Sequence, residues 1–137
     1  MLIDASIALK WFLAEPEAEK AKQLSLRHQL YAPDLLVSEV ANGLRKAVRR
    51  SALRAEDAVT AVSTLEAQFE AFLPTASVAV RALELANDLK HPVYDCMYLA
   101  LAEERGWQLV TSDERLLRTI SGTHHFQLCR TLDEVIN

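Results

Sequence analysis

Residues 93–113 read VYDCMYLALAEERGWQLVTSD. Pro92 stands just before a run that is apolar at nearly every position as far as Ala102, and Gly106 closes it, so a helix is expected from about Val93 to Arg105. A helix that is apolar on every side is a buried one. Leu109-Val110 then gives a short apolar strand, and Asp113 to Ile120 a short helix. A buried helix, a brief buried strand and a second helix indicate a layered α/β domain.

The alternation extends outward from there. Met1 to Ile3 reads as a short buried strand ending at Asp4, with Ala5 to Phe12 as a helix leaving it. Glu15 to Gln29 is a helix rich in Glu, Lys and Ala, with Pro16 in its first turn. Tyr31-Ala32 is a brief strand before Pro33 opens a helix running to about Arg50. Ala55 to Phe69 carries Ala58, Val59, Val62, Leu65 and Phe69 at helical spacing. Phe72-Leu73 is a strand, Ser77 caps a helix through Leu89, and Phe126 to Cys129 is a last edge strand. Such an order calls for a mostly parallel sheet. No repeat, linker or low-complexity tract divides residues 1–137, which read as one domain.

Half of the residues are hydrophobic and a quarter are charged, an ordinary globular composition. Three glycines and four prolines, among many Ala, Leu and Glu, favour helix. Cys96 and Cys129 cannot make a disulfide framework; both sit in apolar stretches, as buried thiols of a reducing cytoplasm do. Met1-Leu2-Ile3-Asp4 lacks the basic-then-apolar order of a signal peptide. No apolar run approaches the ~20 residues of a membrane span. A cytoplasmic location follows as the expectation. The net charge of −4 argues against bulk attraction to nucleic acid. Any such contact needs a local basic surface, or cations that reverse the sign of an acidic pocket.

Four acids supply a candidate pocket. Asp4 and Asp113 each follow a strand, where parallel α/β sheets place their sites. Each has a plainer alternative as a helix cap, with Thr111 and Glu114 spaced as a capping box. Glu39 is harder to explain as surface. Leu36, Val40, Gly43 and Ala47 form the inward stripe of its helix, and Glu39 projects within about 60° of Leu36. Asp95 lies in the first turn of the apolar helix, in or beside the core. Buried carboxylates need a partner, either a nearby Arg or Lys or a metal ion. Four acids at one sheet edge would push each other's pKa values up, and a divalent cation removes that conflict. Oxygen-only ligands suit Mg²⁺ or Mn²⁺, and no Cys/His pairs stand at zinc spacing. His124-His125 read as surface residues, and His91 as a residue without a catalytic partner.

The order Asp4-x-Ser6, Pro33…Glu39-x-x-Asn42-x-Leu44, Asp95-x-x-Tyr98-Leu99-Ala100-Leu101-Ala102 and Leu109-Val110-Thr111-Ser112-Asp113 resembles the PIN-domain nucleases, and most of all the VapC-type toxins of toxin–antitoxin pairs. The likeness covers essentially the whole chain, whose length suits a stand-alone domain. It implies a three-layer α/β/α fold with a short parallel sheet, Mg²⁺- or Mn²⁺-dependent cleavage of RNA, and inhibition by a cognate antitoxin. Carried across by position, Asp4, Glu39, Asp95 and Asp113 would be the acidic site. Ser6 and Thr111 would orient carboxylates or a water, with Asn42 as a weaker neighbour. Such a site leaves a 5′-phosphate and a 3′-hydroxyl.

Arg45, Lys46 and Arg49, with Arg50 and Arg54 beyond, form a basic strip on the polar side of the Glu39 helix, a grip for RNA phosphates. The alternative is a solvated face or a patch for an acidic partner. Apolar residues off the inward stripe (Val37, Ala41, Val48) point to an interface, and a two-fold homodimer is the simplest one. Two other functions remain open on sequence alone. A non-catalytic interaction domain would use the acids as caps and ion pairs. A phosphatase or receiver-like α/β protein would need a second acid beside Asp4 or a late lysine, and Ser6 stands where that acid belongs.

Overall fold

The structure, a computed structural model, describes residues 1–136. Five short strands, β1 (Leu2–Ile3), β2 (Tyr31–Pro33), β3 (Ala71–Leu73), β4 (Leu109–Val110) and β5 (Cys129–Arg130), form one sheet. Their order is β3-β2-β1-β4-β5, and every neighbouring pair is parallel. Leu2 is in register with Tyr31 on one side and with Leu109 on the other, so β1 is central.

Helices fill the connections: α1 (Ala5–Ala8) and α2 (Ala18–Arg27), then α3 (Leu35–Arg49) and α4 (Ala55–Leu65), then α5 (Ala79–Leu89) and α6 (Val93–Arg105). The short helices α7 (Glu114–Ile120) and α8 (Leu132–Val135) flank β5. From β1 the chain steps to β2 and β3 in one direction, then crosses back to β4 and β5 on the other side. Parallel crossovers are right-handed, so reversing the step moves the helices to the opposite face. The result is three layers, α/β/α. In agreement, α3 packs on α1 and α4, α5 lies along α6, and α8 returns to α2. The reversal falls between β1 and β4, and parallel α/β sheets place their sites beyond the carboxyl ends of the strands at such a point.

Leu2, Ile3, Leu109 and Val110 are fully buried, and α6 buries Cys96 and Tyr98 through Ala102, as its apolar sequence requires. Gly43 lies against the Leu9 side chain: a Cβ there would come within 2.6 Å of Leu9 Cδ1, so any larger residue obliges that side chain to shift. Cys96 and Cys129 are free and buried, with thiols pushed up by burial to about 11 and about 12.

Several expected boundaries move. The helix after Asp4 ends at Ala8 and tightens into a 3-10 turn, Leu9–Trp11. The polar helix starts at Ala18, because Glu17 turns left-handed (φ 67°) after Pro16. The α4 segment tightens at Glu66–Gln68, and Phe69 leaves it to stack on Phe72 at 4.8 Å. Ser77 caps nothing: it ends a 3-10 turn, and its hydroxyl donates to the Pro74 carbonyl. Phe126 to Leu128 lie in a 3-10 turn, so the last strand is only Cys129–Arg130. A capping box does occur, at Thr131 and Glu134 on α8, instead of at Thr111 and Glu114.

Candidate acidic pocket

Asp4 ends β1 and caps α1. Its Oδ1 accepts the Ser6 N–H at 3.0 Å, the Ile7 N–H at 3.4 Å and the Ser6 hydroxyl, and its Oδ2 accepts the Thr111 hydroxyl. Thr111, wholly buried, also accepts the Asp113 N–H at 3.0 Å, while Ser6 Oγ accepts the Ser112 N–H at 2.9 Å. Two loops far apart in sequence are thereby clamped side by side, which fixes Asp4 against Asp113. Ser6 and Thr111 are the two hydroxyls that make this clamp.

Asp113 caps α7, its Oδ1 accepting from Arg115 N at 2.9 Å and Leu116 N at 3.1 Å. Capping and pocket roles therefore coexist, since the caps use one oxygen of each aspartate. Glu39 reaches in from α3, half-buried, and its Oε1 accepts the Tyr98 hydroxyl at 2.6 Å. Asp95, in the first turn of α6, is half-buried beside the core, and its Oδ2 lies 2.6 Å from His91 Nε2. The sequence reading of His91 needs correction here: the ring is buried and partnered on both nitrogens, with Nδ1 3.1 Å from Thr119 Oγ1. Asn42 is exposed and makes no side-chain hydrogen bond among the described residues.

The four acids feel one another's charge. Burial raises the Asp4 carboxyl to about 6, against the pull of the Ser6 and Thr111 hydrogen bonds, and the Asp113 charge adds to the rise. Burial also raises Glu39, and the charges of Asp95 and Asp113 push the same way while the Tyr98 hydroxyl opposes them. Tyr98 is driven well above its ordinary value by burial and by the charges of Glu39, Asp4 and Asp95, so it stays a donor. Among the described residues, no Arg or Lys forms an ion pair with any of the four.

The donor set fits a hard divalent cation, being all oxygen and short of positive charge. The carboxylates are spread out, however. Among the described residues, the group bringing three ligand atoms within 4.8 Å is Glu103, His124 and His125. Spacing of that kind leaves room for the waters that Mg²⁺ retains. The Glu103 group is a different arrangement at the far end of α6: Arg81 holds both Glu103 oxygens, at 2.8 and 3.2 Å. There too the sequence reading needs a correction, because His125 is buried, and only His124 is a surface residue.

Arg45, Lys46 and Arg49 are exposed on α3 beyond Glu39 and stand in no ion pair among the described residues, whereas Arg54 is tied to Asp57 at 3.1 Å. No helix is long and apolar enough to cross a membrane among those residues.

The PIN-domain family model matches residues 1–121. Ribonuclease VapC3 of Pyrobaculum aerophilum is 35% identical over 119 residues, spanning 85% of this chain and 91% of that protein. Ribonuclease VapC9 of Mycobacterium tuberculosis is also 35% identical over 119 residues, spanning 87% and 90%. The crystal structure of PAE2754 from Pyrobaculum aerophilum superposes with a TM-score of 0.68 at 21% identity, over 98% of this chain and 91% of that one. A toxin–antitoxin complex from Klebsiella pneumoniae gives 0.66 at 18% identity, over 96% of both chains. The fold, the family model and the relatives agree, and the chain belongs to the PIN-domain family, in its VapC branch.

Proposed function

We propose that this chain is a divalent-cation-dependent endoribonuclease and the toxin of a toxin–antitoxin pair, with Asp4, Glu39, Asp95 and Asp113 as its acidic site. The observation that carries the proposal is the convergence of four carboxylates, from β1, α3, α6 and the β4–α7 junction, on one field with no Arg or Lys partner among the described residues. Buried acids left so are a large stability cost unless a cation offsets them. The ribonuclease names of the VapC relatives agree with this reading.

When bound, Mg²⁺ or Mn²⁺ supplies Lewis acidity for water and for the departing oxygen. The protein does the rest. Ser6 and Thr111 hold Asp4 in one rotamer, the α7 cap holds Asp113, and Tyr98 holds Glu39. Water adds to phosphorus, the bond to the 3′-oxygen breaks, and that oxygen takes up a proton, leaving a 5′-phosphate and a 3′-hydroxyl. No histidine is required as a base. Sequencing of RNA ends after brief expression, beside Asp4→Asn, tests this: 2′,3′-cyclic phosphate ends, or full activity in excess EDTA, would sink it.

RNA is held at the rim by Arg45, Lys46 and Arg49, whose charges are not spent on ion pairs. The antitoxin blocks the pocket by placing an Arg or Lys among the four acids, so its inhibition weakens as Mn²⁺ rises. The face between α3 and α4 is mostly apolar (Ala41, Leu44, Ala58, Val59 and Val62), with Ser63 and the rim residue Arg45 also lining it, and it leaves Val59 strongly exposed. We assign it to a two-fold homodimer, which light scattering reads directly.

A further inference from the structure

We propose that His91 is a positioning residue for the acidic pocket: its Nε2–H pins one oxygen of Asp95 and leaves the other free for the cation. The inference rests on the cation reading of the pocket given above. Its observations are geometric. His91 precedes Pro92, outside α6, yet its ring folds back over the first turn, with Nε2 2.6 Å from Asp95 Oδ2. Two lone pairs cannot face each other at that distance, so a hydrogen lies between them, and an ionised carboxylate has none to give. The donor is Nε2.

The other side of the ring explains why it stays there. Nδ1 lies 3.1 Å from Thr119 Oγ1, and that hydroxyl is also 2.9 Å from the Arg115 carbonyl on α7. The imidazole is therefore buried and held by α7 on one edge while it holds α6 on the other. Asp113 starts that same α7. His91 thus ties the helix led by Asp95 to the helix led by Asp113, and it sets the spacing of two pocket acids from outside the pocket. Asp95 Oδ1 takes no hydrogen bond among the described residues. Of the four carboxylates, Asp95 is the one whose orientation depends on a histidine; the others are held by hydroxyls and backbone amides.

Two amide variants separate the contacts, because the side-chain nitrogen of glutamine stands where Nε2 does and that of asparagine where Nδ1 does. The probe is Mn²⁺ alone, titrated calorimetrically, with unfolding in EDTA as the control for weakened packing. His91→Gln keeps the Asp95 contact and should bind Mn²⁺ within about threefold of wild type, whereas His91→Asn should bind about 10–100-fold more weakly, as removal of an outer-shell partner does. Glutamine carries no charge, so its rescue attributes the effect to the hydrogen bond. If the two variants bind Mn²⁺ equally, whether both tightly or both weakly, the inference is overturned. Asp95→Asn tests the underlying pocket separately. Undiminished Mn²⁺ binding there refutes the cation reading itself. Loss there, with the two His91 variants alike, refutes only the positioning role.

Discussion

Helix α6 carries an acid at each end, and the two ends are built in opposite ways. Glu103, in the last turn, is exposed, and Arg81 grips both of its oxygens; the guanidinium pulls its carboxyl below the ordinary range. Asp95, in the first turn, acts on Glu39 together with Asp113, and among the described residues its side chain has a histidine as partner and no ion pair with Arg or Lys. The difference lies in what each acid was given. An acid that only holds helices together is neutralised by an arginine on its neighbour. An acid kept available for a ligand is fixed by groups that orient it without cancelling its charge.

That contrast is easiest to break with activity. Asp4→Asn or Asp95→Asn should lower Mn²⁺-dependent cleavage by more than about a hundredfold, beyond the 10–100-fold range of outer-shell partners. Their double mutant should be little worse, because the acids act as a unit. Glu103→Gln should cleave as wild type does. Equal loss in Glu103→Gln and Asp95→Asn would erase the distinction between the two ends.

Acidity gives the next largest effect. Asp4 is raised from 3.8 to about 6 by folding, so the folded state binds its proton more tightly than the unfolded state. Its ionisation therefore costs stability as pH rises through that window, and the cost is complete above about 6. In EDTA, the unfolding free energy of Asp4→Asn relative to wild type should rise by up to about 3 kcal/mol from pH 4 to pH 7. A pH-independent difference would mean that Asp4 is not strained by its burial. Glu103 is shifted the other way, so Glu103→Gln should show the opposite slope.

Glu39→Gln sharpens the comparison further. An amide oxygen still accepts from Tyr98, and the repulsion from Asp95 and Asp113 disappears. Apo stability should hold or rise, while the stabilisation conferred by Mn²⁺ shrinks. A drop of ~3–5 kcal/mol in EDTA would instead expose a buried ion pair. Smallest is the rim: neutralising Arg45, Lys46 and Arg49 should reduce the log–log salt slope of RNA binding by about 0.7 for each phosphate no longer neutralised. An unchanged slope would move the grip elsewhere.

Much of this was legible in the sequence, for identifiable reasons. The bounds of α6 and β4 are as expected, because an unbroken apolar run with Pro before it and Gly after it leaves few alternatives. Glu39 and Asp95 stood out because a carboxylate beside an apolar stripe contradicts its surroundings, and the structure gives each a single neutral or imidazole partner. What stayed hidden was tertiary. The His91–Asp95 spacing is i, i+4, but Pro92 takes His91 out of the helix, so a helical rule could not join them. Lys10 carries no sequence signal of its own, yet it is buried with its Nζ 3.1 Å from the Pro16 carbonyl. The burial of His125 depends on packing that its neighbours in sequence do not reveal. The Thr131–Glu134 box, by contrast, was plainly spelled and simply lay beyond the expected last strand.

The clamp between Asp4 and Thr111 also sets a timetable for synthesis. The strand leading to Asp4 is made before every other strand of the sheet, but its neighbour β4 ends at Val110 and the fourth acid is Asp113. A nascent chain can complete β1, β2 and β3 with their helices while the pocket still lacks Thr111 and Asp113. Chains fold from the N-terminus as they emerge, at about 5–20 residues per second. The proposed acidic site therefore closes only after Asp113 has been made, and a chain released before that point lacks one of its four acids. A chain whose finished form cuts RNA is in this way kept harmless to its own message until the β4–α7 junction has been made.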